Sequence, residues 1–131
     1  MNLSILKAEL LAGHPGTGAY NADSLIAANQ INAVNRTIPV ASMSGDEVFA
    51  ATDGPQFVAL SAAKQANWLA FCGRESINPF GTANVAFVTW VFGAGTATVT
   101  ALQAARSEAG SRARELGLPM VYPGHIEQAR A

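Results

Sequence analysis

From Ser76 to Ala105 the chain runs through thirty residues without a single Asp, Glu, Lys, Arg or His. Solvated domain surfaces carry about 25–35% of charged residues, so a stretch this long has to be covered by the protein's own core, by a membrane or by another protein. Within it, NPFGTANVAFVTWVFGAG (residues 78–95) holds Phe80, Phe87, Trp90 and Phe92. The 131 residues suit one domain with one core. Half are hydrophobic, an ordinary share, but only 13% are charged, against about 25% in a typical globular protein. The anomaly is missing charge, which points to surface hidden in an assembly.

A membrane-spanning answer fails on length. The most apolar run, Val85–Phe92, has eight residues, is interrupted by Thr89 and is bounded by Gly93, whereas a spanning helix needs about 20. The opening MNLSILKAELLAGHPG has Lys7 and Glu9 inside its apolar run and lacks the basic segment of a secretory signal, so it reads as the start of a mature chain made inside the cell. A net charge of −1 and eight scattered basic residues leave no footprint of sequence-specific nucleic-acid binding. Arg106, Arg112 and Arg114 stand among Glu108 and Glu115 and read as a solvated helical face with local ion pairs.

Helices joined by short loops account for the punctuation. Leu3, Ile5, Leu6 and Leu10 share one side of a helix that Asn2 caps and Gly13-His14-Pro15-Gly16 stops. Leu25, Ala28, Ile31 and Val34 recur at helical spacing in a second helix, started by Asn21 or Asp23 and ended by Thr37-Ile38-Pro39. Ser44-Gly45-Asp46-Glu47 has the spacing of a capping box, in which the Ser44 hydroxyl accepts from the Glu47 amide and the Glu47 carboxylate reaches back to the Ser44 amide. Asp53-Gly54-Pro55 restarts the chain, and Ser61 caps a helix over Ala62–Phe71 that Gly73 closes in the left-handed region.

Pro79 takes the first helical position of the uncharged segment. There Phe80, Ala83, Phe87, Val88 and Val91 fit one face while Val85, Trp90 and Phe92 fall elsewhere, so the helix is apolar nearly all round. Thr96 caps a helix through Val99, Leu102 and Ala105; a turn over Ser111–Leu116 ends at Gly117; and Pro119 and Pro123 hold Leu118–Gly124 extended. The expected fold is all-α, a compact bundle of about six short helices in a domain over residues 1–118, with an extended C-terminal arm over residues 119–131. The competing β reading is a hairpin of Ala86–Val91 and Thr96–Thr100 about Gly93-Ala94-Gly95.

Chemistry is thinly represented. Gly13 and Gly18 have P-loop spacing, but Ala19-Tyr20 follow in place of the lysine and the magnesium-binding hydroxyl, and Gly93-x-Gly95 lacks a third glycine, so both read as turns. Two histidines, His14 and His125, and one cysteine, Cys72, match no metal-ligand spacing, and Cys72 lies in an apolar helical pattern with no base beside it. No catalytic residue, cofactor or metal is expected.

Four stretches carry a resemblance: MNLSILKAEL with Gly18-Ala19-Tyr20 and Asn32-Ala33-Val34-Asn35-Arg36-Thr37; Met43-Ser44-Gly45-Asp46-Glu47-Val48; Ile77-Asn78-Pro79-Phe80-Gly81 leading to Val91–Thr98; and Ser111–Gly117 with Gly124–Arg130. Together they span nearly the whole chain, which resembles a family of small structural-module proteins of tailed bacteriophages. The resemblance implies a virion or assembly component, assembled in the host cytoplasm, with no catalytic residues. A cyclic ring of copies joining portal and tail, a head-to-tail connector, is the expected form, and an assembly chaperone or other minor capsid- or tail-associated protein is the alternative. The subunit and partner interface is expected at Phe80, Phe87, Trp90 and Phe92 on the apolar helix and at Val121, Tyr122, Ile126 and Arg130 on the arm.

Overall fold

The computed structural model describes residues Met1–Ala131 and has a mixed α/β fold of nine helices and one two-stranded antiparallel sheet. In chain order the elements are α1 (Leu3–Ala12), α2 (Ser24–Asn32), β1 (Val34–Pro39), α3 (Gly45–Ala50), α4 (Gly54–Ala59), α5 (Ala62–Cys72), α6 (Thr82–Phe92), α7 (Ala97–Ala105), β2 (Ser107–Ser111), α8 (Arg112–Glu115) and α9 (Pro123–Arg130). The all-α bundle of six helices with a trailing arm is therefore corrected on three counts: a sheet is present, the helices are more numerous, and the arm folds back as α9.

The sheet was hidden for a local and a non-local reason. Val34 continues the apolar spacing of α2, yet Ala33 already has extended dihedrals and Val34 is exposed; Val34, Thr37 and Ile38 are β-branched residues that suit β1. β2, Ser-Glu-Ala-Gly-Ser, has almost no intrinsic strand preference and exists because β1 is there to pair with it. Gly110 is buried at this pairing, where a β-carbon would overlap the Ile38 side chain.

The chain forms two compact units: Met1–Ile38 with Ala109–Ala131, and Pro39–Glu108. In the first, α9 packs on α1 and α2, and α8 packs on α2. Leu6, Ile31, Val121 and Ile126 are fully or almost fully buried, and the small Ala27, Ala28, Ala113 and Ala129 let the helices approach closely. Asn32 locks the returning chain: its Nδ2 donates to the Val121 carbonyl at 2.7 Å and its Oδ1 accepts from the Val121 amide at 3.0 Å. The Arg130 guanidinium donates to the carbonyls of Ala22 (2.8 Å) and Asn21 (2.7 Å). Tyr122 is extended, as the residue before a proline should be, but Pro123 is compatible with a first helical turn and starts α9.

In the second unit α3 packs on α5 and α6 on α7. Its core is aromatic: Trp68 is fully buried, stacked on Phe71 at 5.4 Å between centroids and on Phe87 at 6.3 Å, and edge-on to Phe92 at 4.7 Å. The indole N–H is satisfied by Thr52 Oγ1 at 3.0 Å, which makes a buried tryptophan affordable there.

Several caps are as the sequence implies. Asn2, Asp23, Ser44, Asp53 and Ser61 each accept from a backbone amide in the first turn of their helix. The Ser44–Glu47 box closes differently from expectation, with the Ser44 hydroxyl also donating to the Glu47 carboxylate at 3.3 Å. Gly73 has φ −77°, so the left-handed cap expected there does not form, whereas Gly13 (φ 91°) and Gly93 (φ 88°) do need glycine.

Candidate interaction surface

The chargeless segment supplies both core and surface. Asn78 Oδ1 accepts from the Phe80 amide at 3.0 Å, an Asx turn that postpones the helix until Thr82 and leaves Pro79 and Phe80 ahead of it. Along α6, Val91 and Phe92 are buried, Phe87 and Val88 are half-buried against the core, and Val85 and Trp90 are exposed. Trp90 stands 54% and Phe80 45% exposed, more than a monomer needs for two of its largest side chains.

Both exposed rings carry a cation. Arg106 lies 4.7 Å from the Phe80 centroid, and Lys64 lies 4.8 Å from that of Trp90 while its ammonium donates to the Trp90 carbonyl at 2.9 Å. Arg74 completes the set, 5.0 Å from the Phe71 ring and hydrogen-bonded at 3.4 Å to Asn84 Oδ1. These are the only three Lys or Arg residues of Pro39–Glu108. Each ring holds its cation by attraction to the π face, which fixes the geometry without itself neutralising the charge.

Between α6, α7 and the segment Ile77–Pro79 lies an apolar cavity of about 70 Å³, lined by Met43, Val48, Ile77, Val85, Val88 and Leu102, with Arg106 at its edge. Pockets that bury a drug-sized molecule are about 300–1,000 Å³, and an engineered cavity holding benzene is about 150 Å³. This one fits the end of an apolar side chain. The surface is therefore suited to a macromolecular partner with apolar anchors and acidic groups.

The eight interface residues expected from the sequence separate into three groups. Phe80 and Trp90 lie on this surface, with Phe87 beneath Trp90 at 6.0 Å between centroids. Phe92, Val121 and Ile126 are core residues. Tyr122 and Arg130 are exposed on the first unit, where Arg130 is engaged with Asn21 and Ala22. Sequence reasoning missed Lys64, Arg74 and Arg106, since Lys64 is 26 positions from the Trp90 it covers. The faint signal was that so few cations serve so long a stretch.

A second cluster, in the first unit, is polar. Arg112 makes two bonds to Glu9, at 2.9 and 3.0 Å, and a third to Glu115 at 3.0 Å; Arg36 grips Glu115 at 2.8 and 3.1 Å; and the Tyr20 hydroxyl donates to Glu9 at 2.9 Å. Burial pushes the Glu9 carboxyl up, but Arg112 and Tyr20 outweigh it and hold it below the ordinary glutamate value. Hydrogen bonding to Arg36 and then Arg112 holds Glu115 down to about 2. Burial and the Glu9 carboxylate raise the Tyr20 hydroxyl well above an ordinary phenol. Two arginines and two carboxylates cancel, so the network acts as a staple between α1, β1 and α8.

Beside it the buried His14 accepts at Nδ1 from the amides of Gly16 (2.9 Å) and Thr17 (3.2 Å), which puts its proton on an Nε2 that has no partner in the protein. Burial pushes the Cys72 thiol up to about 11, away from the thiolate a nucleophile requires. No group of three or more His, Cys, Asp or Glu is placed to hold a metal ion. No protein-family model, no curated protein and no solved structure matches this chain.

Proposed function

We propose that this protein is a structural assembly subunit that associates with copies of itself through the α6 surface of Pro39–Glu108. The specific form implied by the resemblance of its sequence is a head-to-tail connector ring of a tailed-phage virion, in contact with portal and tail proteins. The observation that carries the reading is the pairing of two exposed rings, Phe80 and Trp90, with the cations Arg106 and Lys64. Burying such a surface in a ring releases apolar area from water and brings acidic groups of a neighbour to the cations.

The test is the mass of the purified protein by light scattering over a wide concentration range, for the wild type and for Phe80→Ser/Trp90→Ser. The wild type is expected as a discrete multimer well above 13.6 kDa, and the variant as a folded monomer with unchanged far-ultraviolet circular dichroism. A wild type that stays monomeric throughout overturns the reading. The virion setting is checked separately by mass spectrometry of purified particles produced by cells carrying the gene with its neighbours; absence of the protein there removes the connector form.

A further inference from the structure

Resting on the assembly reading above, we infer that the α6 face of one copy docks on the α3–α4 surface of a second copy, a head-to-tail contact between two different patches. The charges of Pro39–Glu108 divide in a way that favours it. Lys64, Arg74 and Arg106 attend the rings of Trp90, Phe71 and Phe80, and even with Glu75 beside Arg74 and Glu108 two positions after Arg106 these three cations keep a net positive charge there. Asp46 and Glu47 occupy the first turn of α3, and Asp53 caps α4. Exposed apolar residues accompany the acids: Phe49 is 51% exposed and stands three positions after Asp46, hence on the same side of α3, and Val58 on α4 is 75% exposed. The first patch offers rings with positive charge, the second a ring and a β-branched side chain with negative charge, and they share no residue.

A symmetric contact of the α6 face with itself would bring Lys64, Arg74 and Arg106 of two copies together, and like-charge juxtaposition across an interface is costly. Docking on the acidic patch removes that cost and brings carboxylates of a second copy to these cations. Because the two patches differ, a pair of copies keeps one of each free after a single contact, so association continues, and it ends in a ring where the rotation between copies closes.

Charge reversal tests the pairing. Asp46→Lys/Glu47→Lys makes both patches positive, and Lys64→Glu/Arg106→Glu makes both negative; circular dichroism and tryptophan emission check that each remains folded, with Lys64→Glu/Arg74→Glu as a second version of the latter. Each variant alone is expected to associate at least ten-fold more weakly than the wild type, and an equimolar mixture of the two to regain a discrete multimer. Two outcomes overturn the inference and leave self-association by the α6 face standing: Asp46→Lys/Glu47→Lys assembling like the wild type, or a mixture that stays monomeric. A monomeric wild type instead removes the assembly reading itself, and this inference with it.

Discussion

Glu9 and Arg112, separated by 103 positions in the sequence, are joined by two parallel hydrogen bonds of 2.9 and 3.0 Å across the first unit. The Glu9 side chain is 5% exposed and that of Arg112 18%, so solvent does little to replace either partner. Breaking a buried pair from one side costs about 3–5 kcal/mol, and because Arg112 keeps its bond to Glu115, which Arg36 shares, the lower end, about 3 kcal/mol, applies. Glu9→Ala is therefore expected to lower stability to urea by about that much, and Arg112→Met in the same chain to recover a large part of the loss. An effect of Glu9→Ala under about 1 kcal/mol would mean that water compensates Arg112 after all.

The same network sets an acid limit. The folded Glu115 carboxyl is held to about 2 by Arg36 and Arg112, while an unfolded glutamate titrates near about 4.3. Between these values the unfolded chain binds more protons than the folded one, so stability rises with pH across that window and is lost as pH falls through it. Glu9, also held down, contributes with the same sign. The urea midpoint is expected to fall as pH is lowered from about 5 to about 2, and Glu115→Gln to flatten that slope. An unchanged slope would show that Arg36 and Arg112 do not favour the ionised carboxylate.

Two glycines are predicted to differ in their tolerance of a methyl group. Gly45 opens α3 against the end of α5, where its amide donates to the Arg74 carbonyl at 3.1 Å and a β-carbon would collide with the backbone carbonyls of Cys72 and Arg74. Backbone does not step aside easily, so Gly45→Ala is expected to cost about 3 kcal/mol, at the upper end for overpacking. At Gly110 the obstacle is the end of the Ile38 side chain, which can change rotamer. Gly110→Ala should cost about 1 kcal/mol, and Ile38→Val should relieve it. Thermal unfolding of the variants measures both, and equal losses would contradict the distinction.

Much of the local structure was legible because it rests on short-range chemistry. Asn2, Asp23, Ser44, Asp53 and Ser61 start helices in the fold as in the reading, since a side-chain oxygen two or three residues before a free amide needs no tertiary help. The site was half legible: Phe80 and Trp90 are exposed where the chargeless run suggested an uncovered surface. Phe92, Val121 and Ile126, expected at an interface, are buried in the core, because an apolar residue looks the same in sequence whether its own core or a neighbour covers it.

The sequence by itself determined where the helices capped by Asn2, Asp23, Ser44, Asp53 and Ser61 begin, that no segment was long enough to span a bilayer, and that charge was too scarce for an ordinary surface. Only the tertiary structure decided that Ser107–Ser111 is a strand, that the C-terminal residues fold into α9, and that Lys64, Arg74 and Arg106 lie over aromatic rings. The division follows the range of the forces. Caps and prolines act over three or four residues and are written locally, whereas a ladder partner, a packing face or the ring beneath Lys64 or Arg106 is supplied by residues tens of positions away.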